Sequence, residues 1–179
     1  MIKFHSLFTI VILTGLSSQV LAHDEDKDEA KREYEVKLIP LNNSGVQGEV
    51  EIKVMPGNRL VVEIEADGLE PGKIHPQHIH GFNLPVKKSS CPDFNNDTNG
   101  DGIVAINEAA PVFGPIIVPL VPFDTVDAKG EIDYEASFSI NPASIEPLGK
   151  RTVVLHGMTV NGEYIASLPV ACGEIVLDE

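Results

Sequence analysis

The chain has 179 residues, 27 of them Asp or Glu against 13 Lys or Arg, for a formal net charge of −14. So acidic a protein argues against nucleic acid and anionic membrane surfaces as partners, and works against drawing in small anions. The length is that of one ordinary domain with a real core.

Residues 1–22 have the pattern of a signal peptide. Lys3 gives the positive start, residues 7–16 form an apolar run too short to span a bilayer, and Val20-Leu21-Ala22 offers a cleavage site. Export to the periplasm or the medium is expected, with no membrane span in the mature form. The remaining 157 residues, 179 less 22, lose only Lys3 among the charged groups, so their net charge is −15. Residues 23–33, opening HDEDKDEAKR, predict an acidic flexible leader before a domain at 34–179. Cys91 and Cys172 both fall in the exported part and predict one disulfide. Closing about 80 residues, it would stabilise the fold by roughly 4–5 kcal/mol on a chain-entropy account.

Period-2 alternation begins at Tyr34, with Val36 and Leu38 on the same face. It resumes at Val50, Ile52 and Val54, and again at Leu60, Val62 and Ile64. Asn42-Asn43-Ser44-Gly45 and Pro56-Gly57-Asn58 separate these runs as turns. Later strands are expected at 78–82, 131–140, 151–158 and 170–177, and no segment predicts an amphipathic helix of ten or more residues. Short strands punctuated by Gly and Pro point to an all-β antiparallel sandwich or barrel. A long polar, Pro-rich stretch at 87–126 breaks the rhythm, and loops of that length are usually functional or held by something.

Within it, residues 97–108 read DTNGDGIVAINE. Asp97, Asn99 and Asp101 supply side-chain oxygens at positions 1, 3 and 5, and Gly102 allows the sharp turn at position 6. Ile103 would offer its carbonyl and Glu108, at position 12, a bidentate carboxylate: this is the spacing that wraps oxygens around calcium. The plainer alternative is an Asn/Asp/Gly-rich surface turn. Cys91-Pro92-Asp93 leaves no room for an entering helix, so the loop predicts a structural clamp rather than a sensor.

Five histidines remain after the signal: His23, His75, His78, His80 and His156. His78 and His80, two apart on a strand, share a face. His156 ends the apolar run Thr152-Val153-Val154-Leu155, where an imidazole needs a partner. Three imidazoles brought together would suit copper or zinc; surface histidines with one satisfied core histidine are the alternative. His23 would become the amino terminus and could chelate copper there, although its acidic neighbours favour disorder.

Gly68-Leu69-Glu70-Pro71-Gly72 and the following His75-Pro76-Gln77-His78-Ile79-His80 resemble the HGFHVH segment of the copper/zinc superoxide dismutases. Residues 151–156, RTVVLH, resemble that family's RxxVVH strand, and 171–175, ACGEI, its ACGVI ending. The likeness is loose, but it runs in the family's order across 34–177. It implies an eight-stranded Greek-key β-barrel in which His78, His80 and His156 match three copper ligands, with His75 behind them. It also implies a Cys91–Cys172 disulfide and superoxide as the substrate.

The departures weigh against a full dismutase. The family's bridging histidine and further zinc ligands should follow Cys91, yet no histidine lies between Cys91 and Arg151. No zinc site is recognisable, and the calcium loop, in an insertion at 91–126, stands there instead. The family's anion-guiding arginine, three residues before the last cysteine, is replaced by Pro169. The sequence therefore predicts an exported, copper-binding, dismutase-like protein with a calcium clamp and at most residual dismutation. A non-catalytic copper carrier and a calcium-stiffened interaction module, including a chordin-type domain, are the alternatives.

Overall fold

The computed structural model describes residues 29–83, 87–123 and 125–178. The expected signal peptide at 1–22, most of the expected leader and His23 lie outside the described residues. Nine antiparallel strands form one curled sheet: β1 (Arg32–Pro40), β2 (Gln47–Met55), β3 (Arg59–Asp67), β4 (Gln77–His80), β5 (Ile116–Pro119), β6 (Ile132–Ser139), β7 (Thr152–Val160), β8 (Glu163–Glu174) and β9 (Val176–Leu177). Their order is β5-β4-β7-β8-β1-β2-β3-β6, and β9 pairs with β1. The non-sequential neighbours β3–β6, β4–β7 and β8–β1 are crossovers that curl the sheet into a barrel-like sandwich.

The alternation that predicted the first three strands is what fills the interior. In β1 the inward side chains Tyr34, Val36 and Leu38 are buried while their neighbours are exposed. Val50, Ile52, Leu60, Val62 and Ile64 meet them from β2 and β3, and Ile79, Val153, Leu155 and Val170 come from the other half. Each such side chain, fully buried, is worth about 1.5–3 kcal/mol. The first strand starts two residues before the alternation does, because Arg32 is held: it pairs in register with Val54, and its guanidinium meets Glu146 and the Tyr34 hydroxyl.

Among the described residues two α-helical segments interrupt the strands, α1 (Ile106–Phe113) and α2 (Pro142–Ile145). The first falls inside the predicted long loop. At eight residues, with Pro111 in its interior, α1 has too short a period to be read from sequence. Its buried side, Ala109 and Phe113, packs with Val104, Leu41, Val154 and Cys172. Val154 alternates with the inward Val153 and Leu155, so this second cluster lies on the outer face of the sheet. The Cys91–Cys172 disulfide is formed and ties the start of the 91–126 excursion to β8 beneath it. No helix among the described residues is long and apolar enough to cross a membrane.

Candidate metal centre

Gln77 and Ile79 of β4 point into the barrel and are fully buried, which turns His78 and His80 to the outer face. There β4 pairs with β7, His78 opposite Val154 and His80 opposite Thr152. His156 lies two residues beyond Val154 on that face, and the β7–β8 register shifts on both sides of it. The three rings converge, with centroids 5.1 Å apart for His78–His156 and 5.5 Å for both His78–His80 and His80–His156. One ligand atom from each lies within 4.8 Å of the other two, the one such group of three or more His, Cys, Asp or Glu among the described residues.

For His80 and His156 the outer contacts decide which nitrogen faces inward. His80 Nδ1 lies 2.9 Å from the Gly114 carbonyl and His156 Nδ1 lies 3.0 Å from the Ser167 carbonyl. A carbonyl only accepts, so both Nδ1 atoms carry the hydrogen, and in the neutral ring Nε2 keeps its lone pair. Nε2 of His80, Nε2 of His156 and Nδ1 of His78 are buried with no protein partner. Leaving three buried acceptors unpaired is costly, and a metal ion answers all three at once.

Burial, the largest cause, followed by the charge of His80, holds His78 down from 6.5 to about 4. Burial, and then His80 and His78, takes His156 down to about 3. Burial also lowers His80, with its hydrogen bond to Gly114 opposing. Neutral imidazoles are the form that ligates. His75 sits one layer behind: its Nδ1 is 3.0 Å from the His156 carbonyl and its Nε2 3.2 Å from that of Glu70. The Glu70 carboxylate in turn accepts from the backbone and hydroxyl of Thr159, further along β7.

Two aromatic residues that the sequence reading does not single out wall this group. Phe113, at the end of α1 and fully buried, lies 4.4 Å from the His80 ring and 6.3 Å from that of His156. Phe123 lies 5.5 Å from His78. Gly81, just after His80, must be glycine because a Cβ there would meet Arg151 Cδ at 2.4 Å. Arg151 is buried and spends its guanidinium on the carbonyls of Ile145, Phe82 and Glu146.

The 97–108 loop is built differently. Asp97 accepts from the backbone N–H groups of Gly100 and Gly102, Asn99 from that of Asp101, and Asp101 from that of Ile103. Glu108, in the first turn of α1, accepts from the N–H groups of Thr98, Asn99 and Ala105 and from the Thr98 hydroxyl. The oxygens are thus engaged with backbone groups of their own loop. Asn42 anchors it to the barrel. Its amide donates to the carbonyls of Val104 and Pro169 and accepts from the Val104 N–H. Pro169 is the register partner of His156.

The curled antiparallel sheet is the fold of solved superoxide dismutase-like proteins. A single-site mutant of Candida albicans superoxide dismutase 5 superposes with a TM-score of 0.50 at 14% identity, covering 84% of this chain and 94% of its own. A superoxide dismutase-like protein from Bacillus subtilis aligns with a TM-score of 0.46 at 18% identity, over 78% of this chain and 96% of its own. The clock protein EA4 gives 0.47 at 15%, over 82% and 94%. At such identities the likeness speaks to the fold alone. No family model matches the sequence, and no curated protein matches it. The three-histidine cluster, for its part, is of a kind that can hold a metal ion.

Proposed function

We propose that the chain is an exported protein that holds one copper ion on His78, His80 and His156, with calcium as a structural clamp in the 97–108 loop. The observation that carries the copper reading is the convergence of three buried imidazole nitrogens with no other partner. His75 supports the site by holding the His156 main chain. Export is supported by the apolar amino-terminal sequence and by the disulfide, which persists in oxidising compartments. Calcium is supported by the loop's oxygen spacing and its wrapped backbone. Bound copper would supply one-electron chemistry. Superoxide dismutation, in which one superoxide is oxidised to dioxygen and another, with two protons, is reduced to peroxide, is at most a residual activity here. A mature chain at −15 repels the anion, and two of its three arginines serve elsewhere, Arg32 on Glu146 and Arg151 on carbonyls.

Metal analysis of the natively exported protein, with a dismutation assay on the same sample, tests this. The expected result is about one copper per chain with slow dismutation, and loss of copper in the His78→Ala/His156→Ala double variant. Copper retained by that variant would move the site to His23 and refute the assignment. For the loop, Glu108→Ala should abolish any rise in melting temperature on adding calcium; an unchanged rise would refute the clamp.

A further inference from the structure

The copper reading leaves open which copper ion the site takes and what it turns away. The donor set is three neutral imidazoles, and no carboxylate or thiolate joins them among the described residues. Cys91 and Cys172, the only cysteines, are spent on each other. His80 and His156 are almost wholly buried. His78 is half-buried, and two hydrocarbon rings pack edge-on or tilted against the ligands: Phe113 against His80 and His156, and Phe123 against His78.

We infer that this site selects Cu(I) over Zn(II) and Cu(II), and that Phe113, aided by Phe123, sets the selectivity by facing the ligand rings with hydrocarbon in place of a fourth donor. The inference rests on the copper reading above and goes beyond it to the ion's charge. Neutral ligands cancel none of the ion's charge, and by the Born argument a divalent ion costs roughly four times as much to desolvate as a monovalent one. Zinc seeks four ligands, and divalent copper a tetragonal shell. With three imidazoles either must complete its shell with water, and that water is held well only where polar partners meet it. Phe113 and Phe123 offer it none. A monovalent copper is content with three nitrogens, so the same walls cost it little. Ligand type does not make the choice, because imidazole suits zinc and copper alike; charge and coordination number do.

The test uses the full mature protein, stripped by chelator and titrated separately with Cu(I) against bicinchoninate, with Cu(II) and with Zn(II). Expected is one Cu(I) per chain, bound roughly 10–100-fold or more tighter than either divalent ion, the range by which groups around a metal's ligands shift affinity. Phe113→His should tighten zinc by a similar factor and narrow the gap. Because Phe113 is fully buried, Phe123→His, at a partly exposed position, serves as the second variant. Zinc or divalent copper bound as tightly as Cu(I) by the wild-type protein would overturn the inference while leaving the site intact. Selectivity unchanged in both variants would overturn the role of the aromatic walls. Failure of all three ions to bind would instead sink the copper reading itself.

Discussion

The outer face of β4 and β7 and the loop at 97–108 both gather metal-ligand side chains, and they do so in opposite ways. The histidines stand on strands whose other face is buried in the core, and their outer nitrogens are tied to the carbonyls of Gly114 and Ser167. Their inner nitrogens have nowhere else to turn. The loop's oxygens are exposed for the most part and already accept from backbone N–H groups of the same loop. One site holds its geometry at the cost of unpaired acceptors. The other is satisfied without an ion and must exchange bonds to take one. The first is therefore expected to bind tightly and to weaken the apo protein, the second to bind weakly and to add stability only when filled, which suffices outside cells, where calcium sites work at 10⁻⁴–10⁻³ M.

The disulfide offers the largest effect with which to break that contrast. Cys91 opens the segment that carries the loop, and Cys172 sits in β8 under Phe113 and Val154. Reduction should lower unfolding stability by about 4–5 kcal/mol, read from denaturant midpoints with and without reductant. Free-thiol labelling of both cysteines before reduction would rule the bridge out of the purified protein. The strand-borne site should keep its copper after reduction while the loop loses its calcium response. Copper lost first would mean that the loop segment, and not the sheet, fixes the histidines.

A pH series sharpens the contrast next. His156 is neutral in the fold down to about 3, against 6.5 when free, so between those values the unfolded chain binds the extra proton. Stability of the metal-free protein is then intact above pH 6.5 and falls as pH drops, with His156 alone costing about 3 kcal/mol by pH 4. Glu108 is shifted down as well, which for a carboxyl favours the charged form. The Thr98 hydroxyl first, then the backbone of Ala105 and Thr98, holds its carboxyl below 4.5, so its contribution is lost only as pH falls further. Denaturant midpoints of chelator-treated protein should therefore decline first from pH 6.5 and again below about 4.5. A flat profile from 6.5 to 4.5 would mean that the imidazoles are not buried in neutral form.

The same contrast explains what could be read from the chain. Strands β1 to β3 were legible because each puts one face in the core and one in water, which prints period 2 into the sequence. Strand periodicity put His78 and His80 on one face and left the metal open; the resemblance of 75–80 and 151–156 to the dismutase family's histidine strands joined His156 to them. The first half of β8 was not. Asn161 and Gly162, at φ 52° and 85°, make the two-residue turn of the β7–β8 hairpin, but Glu163 to Ala166 is mostly exposed and leaves no alternation to follow. The strand is thus expected from Val170 and begins at Glu163. Phe113 and Phe123 were hidden for another reason. An aromatic residue in a Pro-rich stretch says nothing of what it will pack against until the fold carries it there, Phe113 on a short helix and Phe123 on the segment after β5.

Asn42 belongs with these hidden residues, and it gives the smallest effect of the three and the most local. It sits between the two sites, with Val104 of the loop on one side and Pro169, opposite His156, on the other. Its side chain satisfies both backbone groups of Val104 at position 8 of the loop, as a second strand would. Asn42 holds φ at 54°, so Asn42→Gly keeps the backbone comfortable and removes only the amide. Three buried bonds are then lost and the Val104 N–H is left unpaired, for an expected cost of about 2 kcal/mol in unfolding stability. Calcium affinity should fall with it, because the loop loses its anchor, while the histidines, held by their own strands, keep copper. A variant as stable as the parent, with calcium affinity unchanged, would show that the loop holds itself together and that Asn42 merely fills a turn. Copper affinity falling in step with calcium would instead make Asn42 a mechanical link between the two sites, and the separation drawn between them would have to be given up.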